Sequence, residues 1–585
     1  MNFKKHSPFF LNAKILEGIS VGKLKRSQIG RRDDGYGNLR DFAKSFDSSK
    51  FLIFYFLIFI TVFIFFIRLF ALTIVGGEKN RNLADENRIR LLDIEPERGK
   101  IFDRNGQLLA ASQKIFLLKK DLQVSEISEK TAGELEKQLL AGENFEGELG
   151  KIEQKIKREY KFGEILAHVL GFVSQLQAED QRSAADSSGQ IGRLGIEAAY
   201  DSFLKGKTGK KLIEVDTKGK NISVLGEDAD EIGRSLHLTI DSNLQKVVYN
   251  SLQKHLSRSS SKKGAVIIQN PNSGEVLALV SAPSFDQGNI AASLDDKNQP
   301  FLNRVTQGVY PPGSVFKIVS ALAGLESGAI TNQTEIEDVG EFYLGNVRFA
   351  NWYYLTYGGK DGFVKIDKAI ARSNDIFFYR LAEKTGLGAI RQMAIKLGMG
   401  QKTGIDLPDE SFGLLPDETW KKSTQNSQWF LGDTLHLSIG QGFLQLTPLQ
   451  INSVTSYMAV GYLTRPHLVF KIDAKDKKDE VEIKTKILAN NIVKEENFKT
   501  VREGMKKACE EGGTGWPFFT ASYKVGCKTG TAEKALGNPH ALFTAFAPFE
   551  NPKISITVVI EDGGEGSSVA APVAREILDW YFGKK

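Results

Sequence analysis

Three short strings in this chain carry the residue types needed for acyl transfer. Ser314-Val-Phe-Lys317 sets a hydroxyl and an amine at i and i+3, a turn apart on one helix face. Pro311, Pro312 and Gly313 punctuate the chain just before, so the serine opens an apolar helix ending near Gly328. There its oxygen meets the positive end of the helix dipole, which favours negative charge. Val315, Phe316, Ile318 and Val319 would desolvate Lys317, lower its pKa and make it a base. The string alone is common. Six Ser-x-x-Lys matches begin at Ser20, Ser202, Ser251, Ser259, Ser260 and Ser314, and only the last opens a wholly apolar helix.

The second string is Ser373-Asn374-Asp375, directly ahead of the apolar run IFFYRLAEKTG. All three residue types are ordinary helix caps, so a capping role stands beside a chemical one. The third is Lys528-Thr529-Gly530-Thr531. Lys-Thr-Gly also occurs at 207, 384 and 402, where a helix end or Gly-rich turns account for it. The copy at 528 instead follows an extended run and precedes the terminal strands. Alternation on a strand aims Lys528 and Gly530 to one face and Thr529 and Thr531 to the other. A glycine there lets a substrate backbone approach the edge.

The elements that must hold these strings come from two kinds of sequence. GAVIIQNPNSGEVLALVS (264–281) is two β-rich runs around an Asn-Pro-Asn-Ser-Gly turn, and KISITVVIED (553–562) is β-branched. Between them lie apolar helices at 315–326, 375–384 and 448–460. Strands at both ends around a helical middle predict an α+β domain with a largely antiparallel sheet. Upstream, 87–112 reads as two strands around an Asn105-Gly106 turn. Residues 113–185 are rich in Lys, Glu and Gln and read as helical, with a polar tip at 175–190. Residues 195–220 read as helix, Gly turn and strand. Residues 237–256 read as a strand, then a helix capped by Asp241 or Ser242.

At 585 residues the chain is too long for one ordinary domain. With 41% hydrophobic and 25% charged residues it is neither disordered nor fibrous. The first fifty residues hold eleven Lys and Arg against five Asp and Glu, which is the whole net charge of +6. A folded body without basic excess argues against a nucleic-acid partner. FLIFYFLIFITVFIFFI (51–67), Arg68 and LFALTIV together exceed a bilayer core in length. A basic tail before the span places 1–50 in the cytoplasm and everything after residue 78 outside. The seven histidines are scattered, and nothing calls for a metal or cofactor. Cys509 and Cys527 can pair or stay as two buried small residues, and the unpaired state is the expectation.

The order of the three strings, in helix, helix and strand contexts, is that of penicillin-binding proteins and serine β-lactamases. Further strings support it: RGKIFDRNG (98–106), GIEAAYD (195–201), LTIDSNLQ (238–245), GEVLALVSAPSFD (274–286), NRVTQGVYPPGSVFK (303–317), TGIDLP (403–408), GDTLHLSIGQG (432–442), TPLQ (447–450) and CKTGTAE (527–533). Across nearly all of 51–585 the chain resembles a class B penicillin-binding protein. Within that family it is most similar to the elongation transpeptidases, the penicillin-binding protein 2 group, with the division group as the nearest alternative.

The resemblance implies a cytoplasmic tail (1–50), a membrane helix (51–75), a non-catalytic pedestal (81–262) and a transpeptidase domain (263–585). The last would be an antiparallel sheet flanked by helices, as in serine β-lactamases. It implies that Ser314 attacks the penultimate D-Ala carbonyl, Lys317 takes its proton, Ser373 relays a proton and Asp375 positions Lys317 or substrate. Lys528 and Thr529 would bind the terminal carboxylate, with Asn374, Gly530 and Thr531 also contacting substrate. Backbone N–H groups of Ser314 and Thr531 would form the oxyanion hole. Asp375 stands where the wider family has Asn and offers only acceptors. Implied partners are peptidoglycan stem peptides on lipid-linked glycan strands, β-lactams, a polytopic glycosyltransferase of the shape, elongation and division class, and an MreC-like scaffold. A β-lactam sensor, a structural activator and a D,D-carboxypeptidase are the rival readings.

Overall fold

Apolar, β-branched and aromatic runs can be buried on both faces, and four such runs together with the Lys-Thr-Gly strand build the central sheet. In a computed structural model, which describes residues 48–120, 123–140, 151–176, 189–215, 221–474, 479–534 and 536–583, they are β1 (Gly264–Gln269), β2 (Val276–Ala282), β3 (Gly526–Ala532), β4 (His540–Ala547) and β5 (Ile554–Ile560). Their order is β2-β1-β5-β4-β3, antiparallel throughout, so the Lys-Thr-Gly strand β3 is an edge. The expected hairpin at 264–281 is β1–β2.

Ser48–Phe70 form α1, and the turn Ala71–Val75 extends it. Residues 51–75 are the one stretch among the described residues long and apolar enough to cross a membrane. The chain divides after Arg88, and everything that follows belongs to the second compact unit.

Helices cover both faces of the sheet. On one side α2 (Ser242–Arg258) packs with the C-terminal helix Ala571–Gly583 on Phe543, Ala545, Ile556 and Val558. On the other, α3 (Lys317–Glu326), α4 (Asp375–Lys396) and α5 (Pro448–Val460) pack on Leu542, Phe546 and Val559. Alternate residues of β4 thus serve opposite cores, and burying each large side chain stabilises by about 1.5–3 kcal/mol. Asp241 caps α2, accepting from the N–H groups of Asn243 and Leu244. Although α2 precedes the boundary expected at 262/263, its apolar face packs on the sheet that follows it.

The helix α5 is buried along almost its whole length despite its polar residues. Each inward polar group has a partner: Asn452 Nδ2 donates to Gln269 Oε1 (2.6 Å), and Thr557 Oγ1 donates to Asn452 Oδ1 (3.1 Å). Satisfied polar pairs are what allow such a helix into a core.

Among its described residues, the segment expected to be helical at 113–185 holds more strand than helix. Leu108–Lys120 pairs antiparallel with Gln123–Ile127 on one side and Lys151–Tyr160 on the other, from Ala110 opposite Tyr160 to Lys119 opposite Lys151. Among the described residues of this segment, only Glu129–Leu140 and short turns within 163–170 are helical. Lys and Glu composition suggested helix, but KIEQKIKREY alternates with period two: Ile156 and Arg158 are buried while Lys155 and Lys157 are exposed. The inner end of this sheet continues through Leu236–Leu238 into Val469–Ile472, so the upstream region is sewn to the catalytic one. Much of the expected tip at 175–190 and the tail at 1–47 lie outside the described residues.

Three remote segments meet in one buried ion cluster. Arg98 donates to Glu197 Oε2 (2.9 Å) and Asp201 Oδ1 (2.8 Å), and Arg158 Nε to Glu197 Oε1 (2.6 Å). These residues come from the strings RGKIFDRNG and GIEAAYD and from the strand 151–160, and lock the three together.

Candidate active site

Gly313 brings the nucleophile string to the sheet. Its φ is +54°, a left-handed conformation, and its N–H donates to Gly440 O at 2.9 Å. A Cβ on Gly313 would lie 2.7 Å from Thr531 O, and one on Gly440 2.1 Å from Gly313 O, so both positions require glycine. The helix start is tighter than expected: Gly313–Phe316 is a 3-10 turn and α3 begins at Lys317. In a 3-10 turn i and i+3 eclipse, which stacks Ser314 over Lys317. Ser314 is half-buried beside the edge of β3, and its Oγ has no hydrogen bond among the described residues.

Lys317 is fully buried. Its Nζ donates to Asp375 Oδ1 (2.6 Å), Ser373 O (2.8 Å) and Ser373 Oγ (3.2 Å). Ser373 ends the helix Ile366–Arg372 in the left-handed conformation (φ 55°, ψ 38°), which costs a serine on the order of 1 kcal/mol. That turn aims both its carbonyl and its hydroxyl at Lys317. Asp375 begins α4, and its second oxygen accepts from the backbone N–H of Trp352 at 3.0 Å.

Asn374 corrects the expectation of a substrate contact. It is fully buried and caps α4 by accepting from Phe377 N (2.9 Å), while its amide donates to Asp338 (2.7 Å) and Asp361 (3.1 Å). The capping reading of this residue is the one the structure adopts, and no part of it is left for a substrate.

The alternation on β3 is as expected. Lys528 points inward to the Lys317 side, and a Cβ on Gly530 would meet Pro312 O and Val315 Cγ1 at 3.0 and 3.1 Å. On the opposite face the Thr529 hydroxyl bonds that of Thr514 (2.8 Å), and Thr531 Oγ1 accepts from Gly566 N (3.4 Å). Lys528 Nζ donates to Thr529 O at 3.0 Å.

Electrostatics separate the two lysines from ordinary ones. Burial lowers the Lys317 pKa, and the Asp375 carboxylate opposes that in part. Burial holds Lys528 well below the usual ammonium range, the neighbouring Lys317 pushes it further down, and Asp375 again opposes. Two amines thus share one carboxylate, and the Lys317 ammonium gives up its proton more readily than an ordinary lysine does.

Several residues in the site had no sequence expectation. Gln441 Nε2 donates to Thr531 O (3.2 Å), and Thr514, Trp352 and Asp338 support the strings as described. The left-handed Gly440 and Gly442 around Gln441, and an Asp-x-Gly turn at Asp338, were the available signals. The cysteines, expected unpaired, form a disulfide with Cα atoms 5.9 Å apart. Their loop folds back on itself through Gly515 N to Ala508 O (2.7 Å), a proximity that spacing does not reveal.

A buried lysine one turn from a half-buried serine, a second Ser-x-Asp pair and a Lys-Thr-Gly edge strand define a serine acyl-transfer site. Residues 264–579 match the penicillin binding protein transpeptidase domain, and 119–238 the penicillin-binding protein dimerisation domain. The chain belongs to the class B penicillin-binding proteins. Among its relatives is the peptidoglycan D,D-transpeptidase MrdA of Haemophilus influenzae, 32% identical over 89% of this chain and 90% of that one. The penicillin-binding protein PBP2 of Helicobacter pylori, solved in complex with MreC, is 26% identical with a TM-score of 0.70 over 85% of this chain and 99% of that one. A chain of a peptidoglycan synthase complex, solved in a study of how polymerization and crosslinking are coordinated, is 27% identical with a TM-score of 0.72 over 92% and 99%.

Proposed function

We propose that the protein is a peptidoglycan D,D-transpeptidase that cross-links stem peptides through an acyl-enzyme on Ser314 during cell elongation. The observation that carries this is the buried Lys317 amine, held by Ser373 and Asp375 one tight turn from Ser314. Ser314 Oγ attacks the penultimate D-Ala carbonyl as Lys317 takes its proton. Backbone N–H groups of Ser314 and Thr531 stabilise the oxyanion. Ser373 relays the proton from Lys317 to the leaving D-Ala amine, and Asp375 holds Lys317 in place. Lys528 and Thr529 receive the substrate carboxylate, and Gly530 and Thr531 line the edge where the peptide lies. An amine of a neighbouring stem then attacks the ester, forms the cross-link and restores Ser314. A β-lactam mimics the D-Ala-D-Ala end and leaves a slowly hydrolysed acyl-enzyme.

In this reading 1–50 is a cytoplasmic tail, 51–75 a single membrane anchor, 81–262 a pedestal and 263–585 the extracytoplasmic enzyme. The excess of Lys and Arg before the span supports the orientation. The pedestal is the surface for an MreC-like scaffold and a polytopic glycosyltransferase. Support comes from relatives solved in complex with MreC and within a peptidoglycan synthase complex.

The test is labelling of the detergent-solubilised full chain with a fluorescent penicillin, wild type beside Ser314→Ala. Labelling should vanish in the variant, and labelling that survives would remove Ser314 as nucleophile. Depletion in a rod-shaped host should give round cells, whereas filaments would assign the protein to division.

A further inference from the structure

Between Ser314 and Ser373 lies a segment, 336–364, in which Ile336–Asp338 pairs with Gly362–Val364 and Glu341–Leu344 with Val347–Ala350, followed by the short helix Trp352–Tyr357. At its base a carboxylate collects four N–H groups. Asp338 Oδ2 accepts from Asn351 Nδ2 (2.7 Å), Asn374 Nδ2 (2.7 Å) and Asp361 N (3.1 Å), and Oδ1 accepts from Gly340 N (2.8 Å). Asp338 is 2% exposed, and Asn351 and Asn374 not at all.

Both amides hand this anchorage on to Asp375. Asn351 Oδ1 accepts from the Asp375 backbone N–H (3.2 Å), and the next residue, Trp352, gives its own backbone N–H to Asp375 Oδ2 (3.0 Å). Asn374 Oδ1 caps the helix that Asp375 begins. Asp375 is therefore gripped at its backbone and at one carboxylate oxygen, which leaves the other oxygen on Lys317 at 2.6 Å. Other charges near Asp338 are Asp361, which Asn374 also bonds, Arg372, whose Nε donates to Asp361 Oδ1 (3.1 Å), and Lys368, whose Nζ donates to Asp361 O (3.1 Å).

We propose that Asp338, acting through Asn351 and Asn374, is a positioning residue that holds Asp375 against Lys317, making the segment 336–364 a splint for the catalytic base. The proposal rests on the acyl-transfer reading of Ser314. A carboxylate suits the place because charge-assisted bonds are the stronger ones and every neighbour there donates. An isosteric amide at 338 must turn its NH2 group toward donors on one side, Gly340 N–H or the Asn351 and Asn374 amides, and removes the charge that strengthens the remaining bonds, which loosens the hold on Asp375. Small displacements of a catalytic pair cost rate steeply.

The experiment measures penicillin acylation rates of the full chain in detergent against pH, for wild type, Asp338→Asn, Asn374→Ser and Asp338→Asn with Asn351→Asp. Asn374→Ser keeps a good helix cap but removes the link to Asp338. Both single variants should acylate at least about tenfold more slowly. Their acidic limb should also move to lower pH, because Lys317 then faces Lys528 and the Phe378 ring with less of Asp375 to retain its proton. A merely structural lesion would lower the labelled fraction without moving that limb. The exchanged pair should recover most of the rate, since it restores a carboxylate and an amide in contact. An unchanged rate and limb in either folded single variant overturns the proposal, and Asn374→Ser decides if Asp338→Asn does not fold. Absence of acylation in wild type would instead overturn the acyl-transfer reading itself.

Discussion

Two of the clusters in which the molecule buries charge treat it oppositely. In the upstream region Arg98, Arg158, Glu197 and Asp201 bring two positive and two negative groups together. Burial pulls down the Arg98 pKa, but Glu197 and Asp201 more than restore it, so the guanidinium holds its proton more firmly than usual. In the catalytic centre two buried lysines share Asp375, and both ammonium groups are weakened. Balanced charge makes a lock, whereas unbalanced charge makes a base. The price of the second arrangement is stability, which explains why the strained Ser373 turn and the uncompensated lysines coincide with the reacting serine.

The sharpest way to break this comparison is to remove each centre in turn. Lys317→Ala should slow penicillin acylation by about 10³- to 10⁴-fold, measured as the second-order rate with fluorescent penicillin. Retention of more than about a tenth of the rate would mean that another group takes the Ser314 proton. Glu197→Ala should do the reverse. It leaves two buried guanidinium groups short of their acceptor and should cost about 3–5 kcal/mol of unfolding free energy by denaturant titration. Acylation per folded molecule should be unaltered, and a parallel loss of rate would show that the two centres are one system.

The same contrast governs what could be read from the sequence. Short-range patterns were legible: a helix cap at Asp241 or Ser242, which the structure assigns to Asp241, the β1–β2 hairpin, and the opposite faces of β3 taken by Lys528 and Thr529 all follow from local spacing. Three strings in order marked the site because each needs its own local geometry. What stayed hidden was proximity between remote segments. Asp338 meets Asn374 across 36 positions and Arg98 meets Glu197 across 99, and nothing local marks either pair. Asn374 was assigned to substrate because its string suggested chemistry, yet its amide answers to Asp338. The strand 151–160 resembles a helix in composition because lysines and glutamates on the outer side of a ladder look like those on a helix surface. The pairing of Cys509 with Cys527 has no signature in the sequence, because a loop that doubles back brings none of its own.

The smallest effect is a pH dependence that only one centre should show. In the unfolded chain Lys528 titrates near the ordinary value of about 10.4, whereas burial beside Lys317 sets its folded pKa well below that. Between the two values the unfolded state binds more protons than the folded one, so unfolding free energy rises with pH across that window. The destabilisation is complete below the folded pKa and gone above the unfolded one. Lys528→Met removes this proton linkage, so its stability advantage over wild type should be largest at neutral pH and shrink as pH climbs toward about 10. The narrowing reports the shift at about 1.4 kcal/mol per pKa unit. Arg98 titrates above this range because its acids hold the proton. The difference between Arg98→Met and wild type should therefore not change over the same interval. A Lys528→Met difference that is equally flat would mean that the folded site keeps its second ammonium charged, and that the catalytic centre is balanced after all.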